Sequence, residues 1–167
     1  MSKRMRQIAG IFAAIVAYYL IHEGAHLLYA VCAGAFRQIR WMGLGVQVDV
    51  YAERMTETQL GVFCLVGALA TLCAACLLIV SAKRICRARS ELLRAVAYYI
   101  TIAFLLLAPL YLSLLCGFFG GGDMNGIALL CPEWAARVLA GALLLANGLL
   151  FLKRVLPLYR QSFAGEE

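Results

Sequence analysis

Charge is scarce in this sequence. Asp, Glu, Lys and Arg make up 14% of its 167 residues, against about 25% in an ordinary soluble domain. A soluble globular surface cannot be built from so few charges. Proline is scarcer, with 3 residues, and no glycine recurs at a period of three, so proline-rich and collagen-like fibres are excluded. Histidine occurs only twice. Internal repeats and linker-like polar stretches are missing, so the expectation is a single domain over 1–167. Apolar side chains fill the chain instead, at 64% of residues. That is too much apolar surface for a disordered chain. It points to an all-α polytopic membrane protein, with room for about four spans of roughly 20 residues each.

Basic residues outnumber acids by 15 to 9, for a net charge of +6. Most lie in three clusters: Lys3, Arg4 and Arg6; Lys83, Arg84, Arg87, Arg89 and Arg94; and Lys153, Arg154 and Arg160. Each cluster flanks an apolar run, which is the pattern of cytoplasmic span ends. Contact with anionic lipid is a secondary reading, and no nucleic-acid partner is expected. The 7 cysteines are odd in number, and Cys64, Cys73, Cys76 and Cys116 fall inside apolar runs, where a free thiol packs as a small hydrophobe. Cys73 and Cys76 form a CxxC, but no second pair stands at metal spacing, so a structural role is expected.

Apolar runs place spans at about 8–33, 60–82, 95–119 and 133–152. The first is much longer than the roughly 7–15-residue core of a signal peptide, so it is expected to be retained. Between spans one and two, Val46, Val48 and Val50 alternate with Gln47, Asp49 and Tyr51. With a Met42-Gly43-Leu44-Gly45 turn and a partner strand over Phe36–Trp41, this predicts a short membrane-associated β-hairpin. Pro109 is expected to kink span three. A loop, Gly120-Gly121-Gly122-Asp123-Met124-Asn125-Gly126, follows it, then a short apolar stretch from Ile127 to Cys131, with Pro132 opening span four. Beyond 152 a basic tail is expected. By the positive-inside rule both termini and the 83–94 loop are cytoplasmic, and the hairpin and glycine-rich loop face the outer side.

The chemistry concentrates in His22-Glu23-Gly24-Ala25-His26, an HExxH sequence. Residues four apart share one helix face, so both imidazoles can reach one metal ion, with Glu23 beside them. Both histidines of the chain are in this motif. Ionisable groups within a span cost roughly 2.5–3.5 kcal/mol each or more unless paired or hydrated, so three polar groups in five residues need a shared purpose. Zinc suits two neutral imidazoles, and a catalytic zinc takes three protein ligands and one water. The bland reading is a buried polar cluster that packs helices. Candidate third ligands are Asp49, Glu53, Glu57, Asp123 and Glu133. His22 lies about 21 Å along its helix from Ile8, at 1.5 Å per residue, and span three runs in the same direction to end just before Asp123. Depth therefore favours Asp123. Asn125 is a candidate to touch substrate or orient a ligand, although Asn-Gly is also an ordinary turn. Glu133 and Arg137, four apart, are expected to pair.

These features resemble the site-2 protease family of intramembrane zinc metalloproteases, over about residues 8–130. The HEGAH motif in an early span is followed by the hairpin-like segment. Gly67-Ala68-Leu69-Ala70-Thr71 resembles that family's Gly-Pro-x-Ala-Asn signature, with Ala68 and Thr71 departing from it. Asp123 after span three resembles the family's Asp-Gly motif, although Met124 follows it. The resemblance implies peptide-bond hydrolysis in or near the membrane by one Zn2+ on His22, His26 and Asp123, with Glu23 as the base. Its substrates would be transmembrane or membrane-proximal peptides. The strand with Val46, Val48 and Val50 could receive an unwound substrate by strand addition, or act as a plug. Alternatives are a non-catalytic polytopic metal-binding membrane protein and a small transporter subunit. Small residues such as Gly67, Ala70, Gly141 and Gly148 permit close helix contact, within one chain or in a homo-oligomer.

Overall fold

A computed structural model describes residues 2–42, 45–118, 120 and 122–164. The chain is all-α apart from one hairpin. The order is α1 (Lys3–Cys32), β1 (Phe36–Met42), β2 (Gly45–Val50), α2 (Glu57–Cys86), α3 (Glu91–Leu110), α4 (Asp123–Ile127), α5 (Glu133–Leu150) and α6 (Leu156–Ala164). A π turn over Tyr111–Leu115 and a 3-10 turn over Cys116–Phe118 extend α3. A second π turn, Phe151–Val155, joins α5 to α6. Four helical stretches, Lys3–Cys32, Glu57–Cys86, Glu91–Phe118 and Glu133–Ala164, are long and apolar enough to cross a membrane.

Local sequence explains the starts. Ser2 Oγ accepts from the Met5 amide at the N-terminus of α1, and Ser90 Oγ does the same for Leu93 in α3. Thr56 and Gln59 form a reciprocal capping box on α2, satisfying two amides that a helix end leaves unpaired. The fourth stretch differs from expectation. It does not end near 152 but carries the basic cluster onward to Ala164. Lys and Arg are good helix formers whose stems lie along apolar surface, so a drop in hydropathy does not end a helix. Pro109 lies inside α3, and the π turn that follows it takes up the change in hydrogen-bond register.

Helix α1 packs on both α2 and α3, and α5 packs on α3. Asn147, buried in α5, donates its amide to the Leu105 carbonyl at 2.8 Å and pins the two helices together. Ile8, Phe12, Leu20 and Leu28 of α1 are all 67% exposed. Apolar faces of that extent suit acyl chains rather than water. Strands β1 and β2 pair antiparallel, with Ile39 opposite Val48 and Trp41 opposite Val46, as the alternation predicts. Gly43 and Leu44 of the expected turn lie outside the described residues, as do Phe119 and Gly121. The hairpin folds back so that Val48 is buried with Ala30, Phe63, Met124 and Ile127.

Candidate metal centre

His22 and His26 project from one face of α1, as their spacing requires. Asp123 opens α4, directly after the glycine-rich loop. The short helix α4 lies against α2 because Gly126 meets Cys64. A Cβ on Gly126 would stand 2.2 Å from the Cys64 Sγ, so no larger residue fits this approach. The result is a triangle of three donor atoms. His22 Nε2 is 3.2 Å from His26 Nε2 and 3.1 Å from Asp123 Oδ2, and His26 Nε2 is 3.6 Å from that same oxygen. Ligand atoms about 2.0–2.2 Å from a tetrahedral zinc lie about 3.3–3.6 Å from one another. The triangle therefore has the size that such an ion needs.

Two further observations test the fit. His26 Nδ1 donates to the Phe63 carbonyl at 2.7 Å. A carbonyl only accepts, so Nδ1 carries the hydrogen, and the lone pair of the neutral ring is on Nε2, facing the triangle. The second concerns α2. A Cβ on Gly67 would lie 2.5 Å from His26 Nε2 and 2.8 Å from His22 Nε2. The absent side chain leaves room at the point where both imidazoles converge. Tyr18 stacks on His22, centroids 5.2 Å apart, and fixes that ring.

Burial alone would raise the Asp123 carboxyl. The His22 and His26 rings beside it, 3.1 and 3.6 Å away, outweigh that burial and hold the group at about 2, so Asp123 offers a full negative charge at neutral pH. Glu23 also lies within 4.8 Å of the histidine nitrogens, and His22, Glu23 and His26 alone would form a ligand set. The shorter distances favour Asp123. Glu23 has a different engagement: its Oε2 accepts the Val48 amide at 3.1 Å, and Oε1 has no hydrogen-bond partner among the described residues.

The other carboxylates considered lie elsewhere. Asp49 faces Arg40 at 2.8 Å and Gln38 at 3.2 Å. Gln38 first, then the charges of Arg40 and Arg37 against slight burial, lower its carboxyl below the usual range. Glu133 binds Arg137 at 2.8 Å, as an i, i+4 pair should. Glu53 and Glu57 are exposed. Asn125 is exposed too, and its amide donates to the Gly120 carbonyl. Thr71 turns its hydroxyl back to the Ala68 carbonyl at 2.9 Å, while Ala68 reaches the site.

The centre opens on a cavity of about 580 Å³. Val46, Gln47 and Val48 line it on one side, and Leu107, Tyr111 and Leu112 on the other. Val50 packs instead into the core. Strand β2 is paired on one edge only, and the Val48 amide leaves the opposite edge toward Glu23. Sequence reasoning missed Phe63 and Tyr18. A backbone carbonyl that orients a ligand has no sequence signature. Tyr18, one turn before His22, could have been found from its spacing. A scan of family models, a search of curated proteins and a search of solved structures each returned no match for this chain.

Proposed function

We propose that this chain is an intramembrane zinc metalloprotease resembling the site-2 family, which hydrolyses peptide bonds within or beside the membrane. The triangle of His22 Nε2, His26 Nε2 and Asp123 Oδ2, with its room beside Gly67, carries the reading. These three residues would hold the ion. Zinc supplies Lewis acidity, polarising the scissile carbonyl and making water acidic near neutral pH.

The chain's own groups do the rest. The Val48 amide fixes Glu23 through Oε2 and leaves Oε1 to take the proton of the attacking water. Glu23 then passes that proton to the leaving amine. Phe63 holds His26 in the ligating tautomer. A helical substrate must unwind before its amides are accessible, and the free edge of β2 offers it strand pairing at Val46 and at the Val48 carbonyl, next to the amide that holds the base. Leu107 and Leu112 give the same cavity an apolar wall. By charge distribution the basic end faces the cytoplasm, with the zinc toward the outer side.

One observation favours a second reading, a non-catalytic metal-binding membrane protein. Glu23 already has a structural task in holding the hairpin. The substitution Glu23→Gln separates the two. The protease reading expects zinc to be retained and new peptide termini in host membranes to fall on the order of 10²–10⁴-fold. Unchanged cleavage products would exclude Glu23 as the base. Metal content of detergent-purified protein tests the centre itself. About one zinc per chain is expected in the wild type, from three protein ligands, and none in His26→Ala or Asp123→Ala. No metal in any sample leaves only the hydrogen-bonded polar cluster.

A further inference from the structure

The opposite end of the bundle carries a second cavity, of about 710 Å³. It lies between the start of α1, the start of α3 and the face of α6. Among the described residues Lys3, Arg6 and Arg160 line it, against one acid, Glu91, which pairs with Arg6. Among the described residues Lys3 and Arg160 have no ion-pair partner. The wall behind them is aromatic. The Tyr159 ring, 1% exposed, sits with its centroid 5.2 Å from that of Tyr98 and 6.4 Å from that of Phe163. Arg94 fixes α6 in place by donating from Nη1 to the Ser162 carbonyl at 3.0 Å.

A basic flank accounts for cations at this end of the protein. It does not account for their facing one concavity from two helices that are distant in sequence. Like charges so placed repel, and an anion between them removes the repulsion. Arginine forks and lysine ammonium groups together suit a phosphate, whose oxygens accept from both.

Depth adds to the argument. Lys3 precedes His22 by 19 residues, about 28 Å of helix, and the hydrocarbon layer is about 30 Å thick. With the metal centre near one interface, the cavity is at headgroup level of the other. Tyrosines such as Tyr98 and Tyr159 are the residues that populate that level.

We propose that this cavity binds a phosphate ester, the group shared by anionic phospholipid headgroups and soluble phosphates. It is a second binding site, independent of the metal centre. The test is native mass spectrometry of the full chain in detergent, with phosphatidylglycerol, phosphatidylcholine or inorganic phosphate added. The wild type is expected to retain phosphatidylglycerol in preference to phosphatidylcholine. In Lys3→Gln/Arg160→Gln the preference should weaken by on the order of thirtyfold, from the loss of two charges near an anionic group.

Lys83→Gln/Arg84→Gln removes two cations outside the cavity and should leave binding unchanged. Lys3→Arg/Arg160→Lys keeps both charges and should restore it, which separates binding from folding. Inorganic phosphate bound in place of lipid, and lost in the same double variant, supports the site with a soluble occupant. Equal retention of both lipids with no phosphate bound overturns the proposal. So does an equal loss in the two Gln double variants, which would mean diffuse surface charge.

Discussion

At Gly67 the side chain is a hydrogen, and two imidazoles use the room. In most helix interiors Gly→Ala raises stability by about 1 kcal/mol, because glycine loses more backbone freedom on folding. Here the added Cβ would lie 2.5 Å from His26 Nε2. Gly67→Ala is therefore expected to drop bound zinc to background while helix content by circular dichroism stays at the wild-type level. Full zinc content in that variant would mean that the ion does not sit between the rings. Phe63 acts at the same scale through its backbone, so its side chain can change without loss of the hydrogen bond that orients His26. The HExxH spacing was legible because two histidines four apart have one geometric consequence on a helix. Gly67 stood in a stretch of small residues, where nothing separated a helix contact from a metal cradle.

Among the elements, α4 has the largest effect for its size. Its five residues carry Asp123 and dock against α2 through Gly126. Gly126→Val touches no ligand, yet its side chain must displace either Cys64 or α4. The expected outcome is weaker zinc retention against a chelator, by about tenfold or more, since a displacement of even 1 Å at a constellation of this kind is costly. Retention equal to the wild type would show that α4 can dock without this contact. No periodicity marks a five-residue helix, which is why the segment read as a loop. The hairpin was legible by contrast, because strict alternation over Val46–Tyr51 with a turn before it has few other outcomes. The run of the last stretch to Ala164 was hidden by its lysine and arginines, which look like an end to a hydropathy reading and are compatible with a helix.

At the scale of the whole molecule, an even number of long helices places Lys3, Glu91 and Arg160 around one cavity and His22, Val48 and Asp123 around another. Fluorescent-protein fusions at residue 2 and after residue 164 are expected to report the same face of the membrane. A phosphatase inserted at the Ala52–Arg54 turn should report the opposite one. By the basic-residue count the first face is expected to be the cytoplasmic one. Fusions at the two ends that reported different faces would require an odd number of crossings. Apolar runs made the four stretches legible, but not which faces meet, since nearly every face is apolar and the small residues that select contacts occur throughout.

The separation of 101 residues between His22 and Asp123 also sets an order in time. Chains emerge N-terminus first, at about 5–20 residues per second. His22 is therefore made about 5–20 s before the aspartate. During that interval the growing polypeptide holds two of the three donors and lacks the segment that supplies the third. A nascent chain halted within its third helical stretch lacks Asp123, and the finished one completes the donor triangle only when the segment carrying that residue folds back. Assembly of the centre is thus a late event of biogenesis, after most of the membrane insertion is complete.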